Sequence, residues 1–333
     1  MRLGNLAVLP MDAAAELPPA PASPVGDDGA PAFGTFAGTT GPVDWRRHRG
    51  PRRRLAWKRW HYVSVAGPDV VAAVAVVDLG WVANAFGYLF DRRAGRLVAD
   101  ASSMGLPRRA AHVADRAGAG ARTTFRARGA DVTLARAEGG RWHLWARVGD
   151  LVLDAVLEET GADTLCAVAP VPGGVADCTH KTPCLRVAGV ASAGDLTVDL
   201  GGHWAALDHT SGLLARDTDW RWASATGPDL ALNLTEGFTA PAENALWRRG
   251  RLERVGPVRF DFDAASPGSP WHIGDESGTV DLEFRPEGVR REDTNLGLAR
   301  SRYVQPVGVF SGRVGSTEIR DLPGVTEDHA ARW

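Results

Sequence analysis

Two stretches of this chain carry residue types whose spacing suits chemistry. Trp220 and Trp222 stand two apart, so on a strand they share one face, and Trp204 and Asp208, four apart, share a face on theirs. Between them lie His209-Thr-Ser-Gly212 and Arg216-Asp217. Trp rings offer large apolar faces that also stabilise a cation. A carboxyl among such rings is pushed toward its neutral form and suits general-acid work. On this reading Asp208 is the acid, His209 its partner, and Trp204, Trp220 and Trp222 are cavity walls. The same Asp208-His209 pair followed by Ser211-Gly212 also fits a turn cap at a strand end. In the N-terminal half, Trp60 and Tyr62 share a strand with Lys58 and His61, and Asp78 ends an apolar run, either facing a cavity or marking a turn with Gly80.

Other chemistries lack their residues. No Gly-x-Gly-x-x-Gly, Gly-Lys phosphate loop, Gly-x-Ser-x-Gly elbow or His-Glu-x-x-His occurs, so nothing points to a nucleotide, a hydride carrier or a serine hydrolase, and no cofactor is expected. Cys166, Cys178 and Cys184 with His180 lack the paired spacings of a tetrahedral zinc site, so no metal is expected. The run from Arg46 to Arg59 holds eight positive charges beside Trp45, Trp57 and Trp60. It reads as a loop pairing with acidic loops, or as an anion-binding edge. The net charge of −2 argues against nucleic acid as a partner.

The elements that must position these groups read as strands. The chain has 333 residues with 39 Gly and 21 Pro, and about eighteen to twenty short strands at regular spacing predict an all-β sandwich or barrel. Gly139-Gly140 and Gly149-Asp150 read as turns, and one short helix is expected at 108–117. Residues 1–30, rich in Ala and Pro, read as a flexible arm. The Pro- and Gly-rich stretch 159–182 reads as a crossing between two halves, 31–170 and 171–333. The longest apolar run, Val70 to Val77, is too short to span a bilayer, so no integral membrane segment is expected. With no secretory pattern and only three cysteines, the expected compartment is the cytoplasm.

Seven ordered motifs resemble a family: Lys58-Arg-Trp-His-Tyr62, Val77-Asp-Leu-Gly80 with Asn84-Ala-Phe86, Lys181-Thr-Pro183, Asp208-His-Thr-Ser-Gly212, Trp220-Arg-Trp222-Ala-Ser224, Asn233-Leu-Thr-Glu-Gly237-Phe238 and Glu243-Asn-Ala-Leu-Trp247. Together they are similar to the bacterial domain-of-unknown-function family 2804, over about residues 31–330. More distantly, Asp208-His209-x-x-Gly212 followed by Trp220-x-Trp222 resembles a segment of tandem-lipocalin proteins such as carotenoid 1,2-hydratases and tocopherol cyclases, although Thr210-Ser211 departs from their pattern. That resemblance implies two lipocalin-like (calycin) barrels or curved antiparallel sheets in tandem. It also implies a cofactor-independent hydratase, cyclase or isomerase acting on an apolar, isoprenoid-like small molecule. The expected site is Asp208 and His209 for catalysis, with Trp204, Trp220, Trp222, Asn233, Trp60, Tyr62 and Asp78 contacting the ligand. A non-catalytic carrier of a hydrophobic ligand is the rival expectation, and sugar binding through exposed Trp a third.

Overall fold

The computed structural model of the chain describes residues 16–48, 53–295, 297 and 299–333. The first sheet contains β1 (Gly34–Ala37), β2 (Trp57–Ala66), β3 (Val70–Asp78), β4 (Ala83–Asp91), β5 (Arg96–Gly105), β6 (Ala111–His112), β7 (Arg122–Ala127), β8 (Ala130–Arg136), β9 (Arg141–Val148), β10 (Leu151–Glu158), β11 (Leu165–Ala169), β12 (Ala176–Ala193), β13 (Leu196–Asp199) and β14 (Trp204–Leu213). The second contains β15 (Asp217–Thr226), β16 (Leu230–Gly237), β17 (Ala245–Arg248), β18 (Arg251–Arg254), β19 (Arg259–Asp261), β20 (Trp271–Gly274), β21 (Val280–Asn295), β22 (Arg300–Val314) and β23 (Thr317–Arg332). Their spatial orders are β5-β4-β3-β2-β14-β12-β10-β9-β8-β7-β6, with β1, β11 and β13 branching at β12, and β18-β17-β16-β15-β23-β22-β21-β20-β19. The first sheet curls into a nearly closed barrel and the second into a half-barrel. The fold is thus all-β, two curved antiparallel sheets in tandem.

Side-chain alternation explains the curl. In β9, Trp142, Leu144, Ala146 and Val148 are buried while Arg141, His143, Trp145 and Arg147 face solvent, the pattern of a strand with one dry face. β3 is different, being apolar at every position until Asp78. Val70, Ala72, Val74 and Val76 enter the barrel core with Val63 and Val65. Val71, Ala73 and Ala75 enter a second cluster with Tyr62, Tyr88, Phe90 and, from the other sheet, Trp222, Val307 and Val325. The outer wall of the barrel is therefore an interior as well. Charge clamps the same seam: Arg92 makes a bidentate pair with Glu287 (2.7 and 2.6 Å), and Arg290, buried against Phe86 and Tyr303, donates to Asp100 at 2.8 Å.

Three expectations change on the structure. Residues 108–117 form no helix: Arg108 takes a left-handed φ of 63° and Ala111–His112 pairs with β7 as the end strand of the sheet. Half of the stretch 159–182 is strand, because Leu165–Ala169 is apolar throughout and pairs with β12, leaving the Pro170 to Gly174 cluster in their hairpin loop. The division expected at 170/171 therefore falls inside the first sheet, and the sheets change at residues 214–216. The Gly149-Asp150 turn stands as expected, linking Val148 to Leu151.

The expected N-terminal arm is also packed where it is described. Its residues 1–15 lie outside the described residues. From Pro18 on, the chain runs along β1, with Ala37 N–H donating to Pro18 O and Ala20 N–H to Ala37 O. Val25 is fully buried with Trp45, Cys166, Val168 and Leu213. Val25→Ala is expected to cost about 1–3 kcal/mol in urea unfolding, and deleting residues 1–30 to lower the melting temperature by several degrees. Unchanged stability in both would show that the arm merely rests on the fold.

Candidate active site

The seam between the sheets holds a cavity of about 100 Å³. At roughly 10–15 Å³ per water-sized group, that holds about seven to ten of them, a small molecule or the reacting end of a longer one. Strand parity builds the first-sheet wall: Trp60 and Tyr62 from β2, Phe86 from β4, Asp177, Thr179 and Lys181 from β12, Asp208 and Thr210 from β14. These are alternate residues, set side by side by the register Lys181↔Asp208↔Tyr62 and Thr179↔Thr210↔Trp60. The opposite wall is Trp220 and Trp222 of β15, Thr235 of β16, Tyr303 of β22, and Glu327 and His329 of β23, with Phe238 and Glu243 from the 238–244 connection. Three partly exposed rings form one group at the rim. Trp60 stacks on Trp220 at 6.2 Å and 14°, and Phe238 lies 6.5 and 5.3 Å from them.

Charge is concentrated at the inner end. The Lys181 ammonium reaches Asp208 Oδ2 at 2.8 Å and Glu243 Oε2 at 2.9 Å, and lies 5.6 Å from the Trp222 ring. Burial alone would lower its pKa, but the two carboxylates outweigh it and hold the ammonium above its ordinary range. Asp208 Oδ1 accepts from Thr179 and Thr210 (3.2 and 3.1 Å), and Trp60 Nε1 lies 3.5 Å from Oδ2. Glu243 also accepts from the Thr239 hydroxyl. Across the cavity, Glu327 accepts from Trp220 Nε1 at 2.8 Å and Gln305 Nε2 at 3.0 Å, and Ser301 Oγ meets His329 Nε2 at 2.9 Å. Asp177 differs from the rest. It is 1% exposed, and neither carboxyl oxygen has a hydrogen-bond partner among the described residues. Burial, then the charge of Glu243, pushes it well above the usual carboxylate range.

Of the residues expected from the sequence, Asp208, Trp60, Tyr62, Trp220 and Trp222 meet in this cavity. Asp208 lies inside β14, so the turn-cap reading does not hold. His209 does not partner it. As the next residue on a strand it faces the barrel interior, where Nε2 pairs with Ala114 O at 2.8 Å and the ring packs between His61 and His180. Burial, with His180 nearby, lowers its pKa to about 4. Trp204 shares the parity of Asp208 but sits four residues along the strand, beyond the cavity. Asn233 does not line the cavity either: its Oδ1 accepts from Trp222 Nε1 at 2.8 Å and its amide donates to Glu243 O, so it orients the wall. Asp78 is buried elsewhere, paired with Arg59 and accepting from Gly80 N–H at 2.8 Å.

Sequence reasoning missed Asp177, Glu327 and His329. The spacing Asp177-x-Thr179-x-Lys181 was a usable signal, since alternate polar residues on a strand share a face, as was Glu327-x-His329. Pairing across the seam has no local signal. Cys166, Cys178 and His180, treated above as unmatched, do come together. Their donor atoms lie within 4.8 Å of one another in the buried interior, while His180 Nε2 meets Thr40 N at 3.2 Å. Of the basic run, Arg46 pairs with Asp44, Arg47 with Asp27 and Arg59 with the strand residue Asp78; Arg49 and Arg52 lie outside the described residues. Among the described residues no helix is long and apolar enough to cross a membrane.

The fold and cavity together define a class, tandem curved sheets with an aromatic, acid-lined seam. The chain belongs to the family described as domain of unknown function DUF2804, whose model matches residues 25–333. No curated protein matches it in sequence. Solved structures share its fold. CghA is 11% identical with a TM-score of 0.57, covering 92% of this chain and 97% of its own. Kievitone hydratase from Nectria haematococca is 11% identical with a TM-score of 0.53, over 83% and 88%. A candidate AttH from Nitrosomonas europaea is 15% identical with a TM-score of 0.50, over 82% and 91%.

The placement of His209 has a measurable consequence. Its folded pKa of about 4 lies below the ordinary 6.5, so its contribution is present in full above pH 6.5 and is lost as pH falls through about 4. Compared with His209→Gln, the wild type is expected to lose about 2–3 kcal/mol of unfolding free energy between pH 6.5 and 4.5. Parallel pH profiles in urea melts would contradict the buried neutral imidazole.

Proposed function

We propose that this protein is a cofactor-independent enzyme of the hydratase, cyclase or isomerase kind, acting by acid catalysis on an apolar, isoprenoid-like small molecule held in the seam. The observation that carries the reading is the union, in one cavity, of aromatic walls with buried carboxyl groups. Protonating an alkene needs an acid near the double bond and a surface that tolerates the cation that follows. Trp60, Trp220 and Trp222 supply that surface. That one structure sharing the fold is a hydratase supports the reaction class.

Asp208, surrounded by the Lys181 ammonium, two threonine hydroxyls and the Trp60 N–H, is placed to accept and orient rather than to give a proton. It orients an attacking water, or fixes Lys181 at the cavity wall. The cavity volume favours a substrate whose double bond reaches the inner end while its tail passes the rim rings.

The test uses the full chain with geraniol, farnesol and related polyenes. Hydration in heavy-oxygen water adds the heavy isotope to the product, and cyclisation or isomerisation in deuterium oxide adds deuterium at carbon. Asp208→Asn is expected to reduce turnover at least a hundredfold while changing affinity less than tenfold, about 1.4 kcal/mol. Trp222→Ala is expected to weaken binding as well, because it removes ring area from the wall. Tight binding with the ligand always recovered unlabelled would identify a carrier instead.

A further inference from the structure

We propose that Asp177 is the proton donor of the cavity, its carboxyl standing in the wall with no side-chain hydrogen-bond partner among the described residues. The proposal rests on the acid-catalysis reading above and names the group that performs it.

Placement comes first. Asp177 lines the same cavity as the Trp rings, two residues before Thr179 and four before Lys181 on one strand face. It is 1% exposed and both oxygens are unpaired among the described residues, a costly arrangement for a charge and a much cheaper one for a neutral acid. The fold makes room for it. Gly212 stands opposite in the register, and a Cβ there would come within 2.3 Å of Asp177 Oδ1. The glycine of the Asp208-His-Thr-Ser-Gly212 motif therefore serves the carboxyl across from it.

The surrounding charges agree. Burial is the largest influence and favours the neutral acid, as do Glu243 from the 238–244 connection and Asp208 from β14, while Lys181 on its own strand and the neighbouring Cys178 N–H favour the anion. The ammonium is already shared by Asp208 and Glu243.

The step balances without another reagent. The alkene π pair forms a C–H bond with the Asp177 proton, the O–H electrons remain on Asp177, and the neighbouring carbon becomes a cation facing the Trp rings. In hydration, a water lone pair closes on that carbon and one water proton returns to Asp177, so alkene plus water gives alcohol. In cyclisation a second π pair closes on it, and a proton lost from the adjacent carbon restores the acid.

Two measurements on the full chain test this. Infrared difference spectra between wild type and Asp177→Asn at neutral pH should show a protonated-carboxyl band that the variant lacks and that Asp208→Asn retains. Absence of that band overturns the proposal. The second is stability against pH. A carboxyl raised above its ordinary 3.8 stabilises fully below that value and loses its contribution as pH rises toward its folded pKa. Asp177→Asn should therefore gain on the wild type between pH 4 and pH 8, by about tenfold or more in the unfolding constant. The opposite sign would mark Asp177 as an ion-pair partner. With farnesol in deuterium oxide, wild type should incorporate deuterium and Asp177→Asn at least a hundredfold less. Equal incorporation overturns the assignment. A protonated band with no incorporation in wild type counts against the acid-catalysis reading instead, and leaves Asp177 a buried acid without that task.

Discussion

Alternate residues on neighbouring strands of the first sheet must serve two interiors, and the rest of the structure depends on that constraint. On β2, β12 and β14, one parity fills the barrel and the other faces the second sheet. His61, His180 and His209 lie in one row across these strands on the barrel side. Tyr62, Lys181 and Asp208 lie one step away on the seam side. A one-residue slip would exchange them, placing an ion pair in a Val and Leu core. Both layers are dense with contacts, so register is enforced twice, and the polar groups of the seam inherit the precision of the packing behind them.

Lys181 is where this precision matters electrically. Buried ion pairs seldom add much net stability, because desolvation consumes the Coulomb gain, yet removing one partner costs several kcal/mol. Lys181 takes one carboxylate from each sheet's part of the chain, Asp208 from β14 and Glu243 from the connection after β16. It is thus a positional lock across the seam. The bulge between Thr182 and Leu185 follows at once. It absorbs Pro183, which has no N–H to give, and turns Cys184 so that its N–H meets Thr226 Oγ1 at 2.8 Å.

Much of this was readable in the chain, unevenly. Strand period and glycine turns revealed an all-β fold, and the Trp220-x-Trp222 and Asp208 spacing revealed part of the wall. What misled was local punctuation. Pro170, Pro172, Gly173 and Gly174 resemble a boundary, but the apolar Leu165–Ala169 beside them is a central strand. Treating 159–182 as a crossing hid Asp177, though Asp-x-Thr-x-Lys has strand parity. Adjacency in sequence misled in the same way for Asp208 and His209, since neighbours on a strand point apart. The meeting of Glu327 and His329 with Trp220 depends on how β15 pairs with β23, roughly a hundred residues on, and no local pattern encodes that.

The rim rings come from both sides of the seam: Trp60 belongs to the first sheet, Trp220 to the second and Phe238 to the connection after β16. Passage past them and separation of the sheets therefore share one mechanical coordinate. The chain passes between the sheets at residues 214–216, and the Arg92–Glu287 and Arg290–Asp100 clamps resist their parting. Entry and exit of the proposed ligand would then follow collective sheet motion, on the order of microseconds to milliseconds, rather than single side-chain flips. A molecule once seated would be timed by the stiffness of the whole seam, and residence would be a property of the architecture as much as of the contacts it makes.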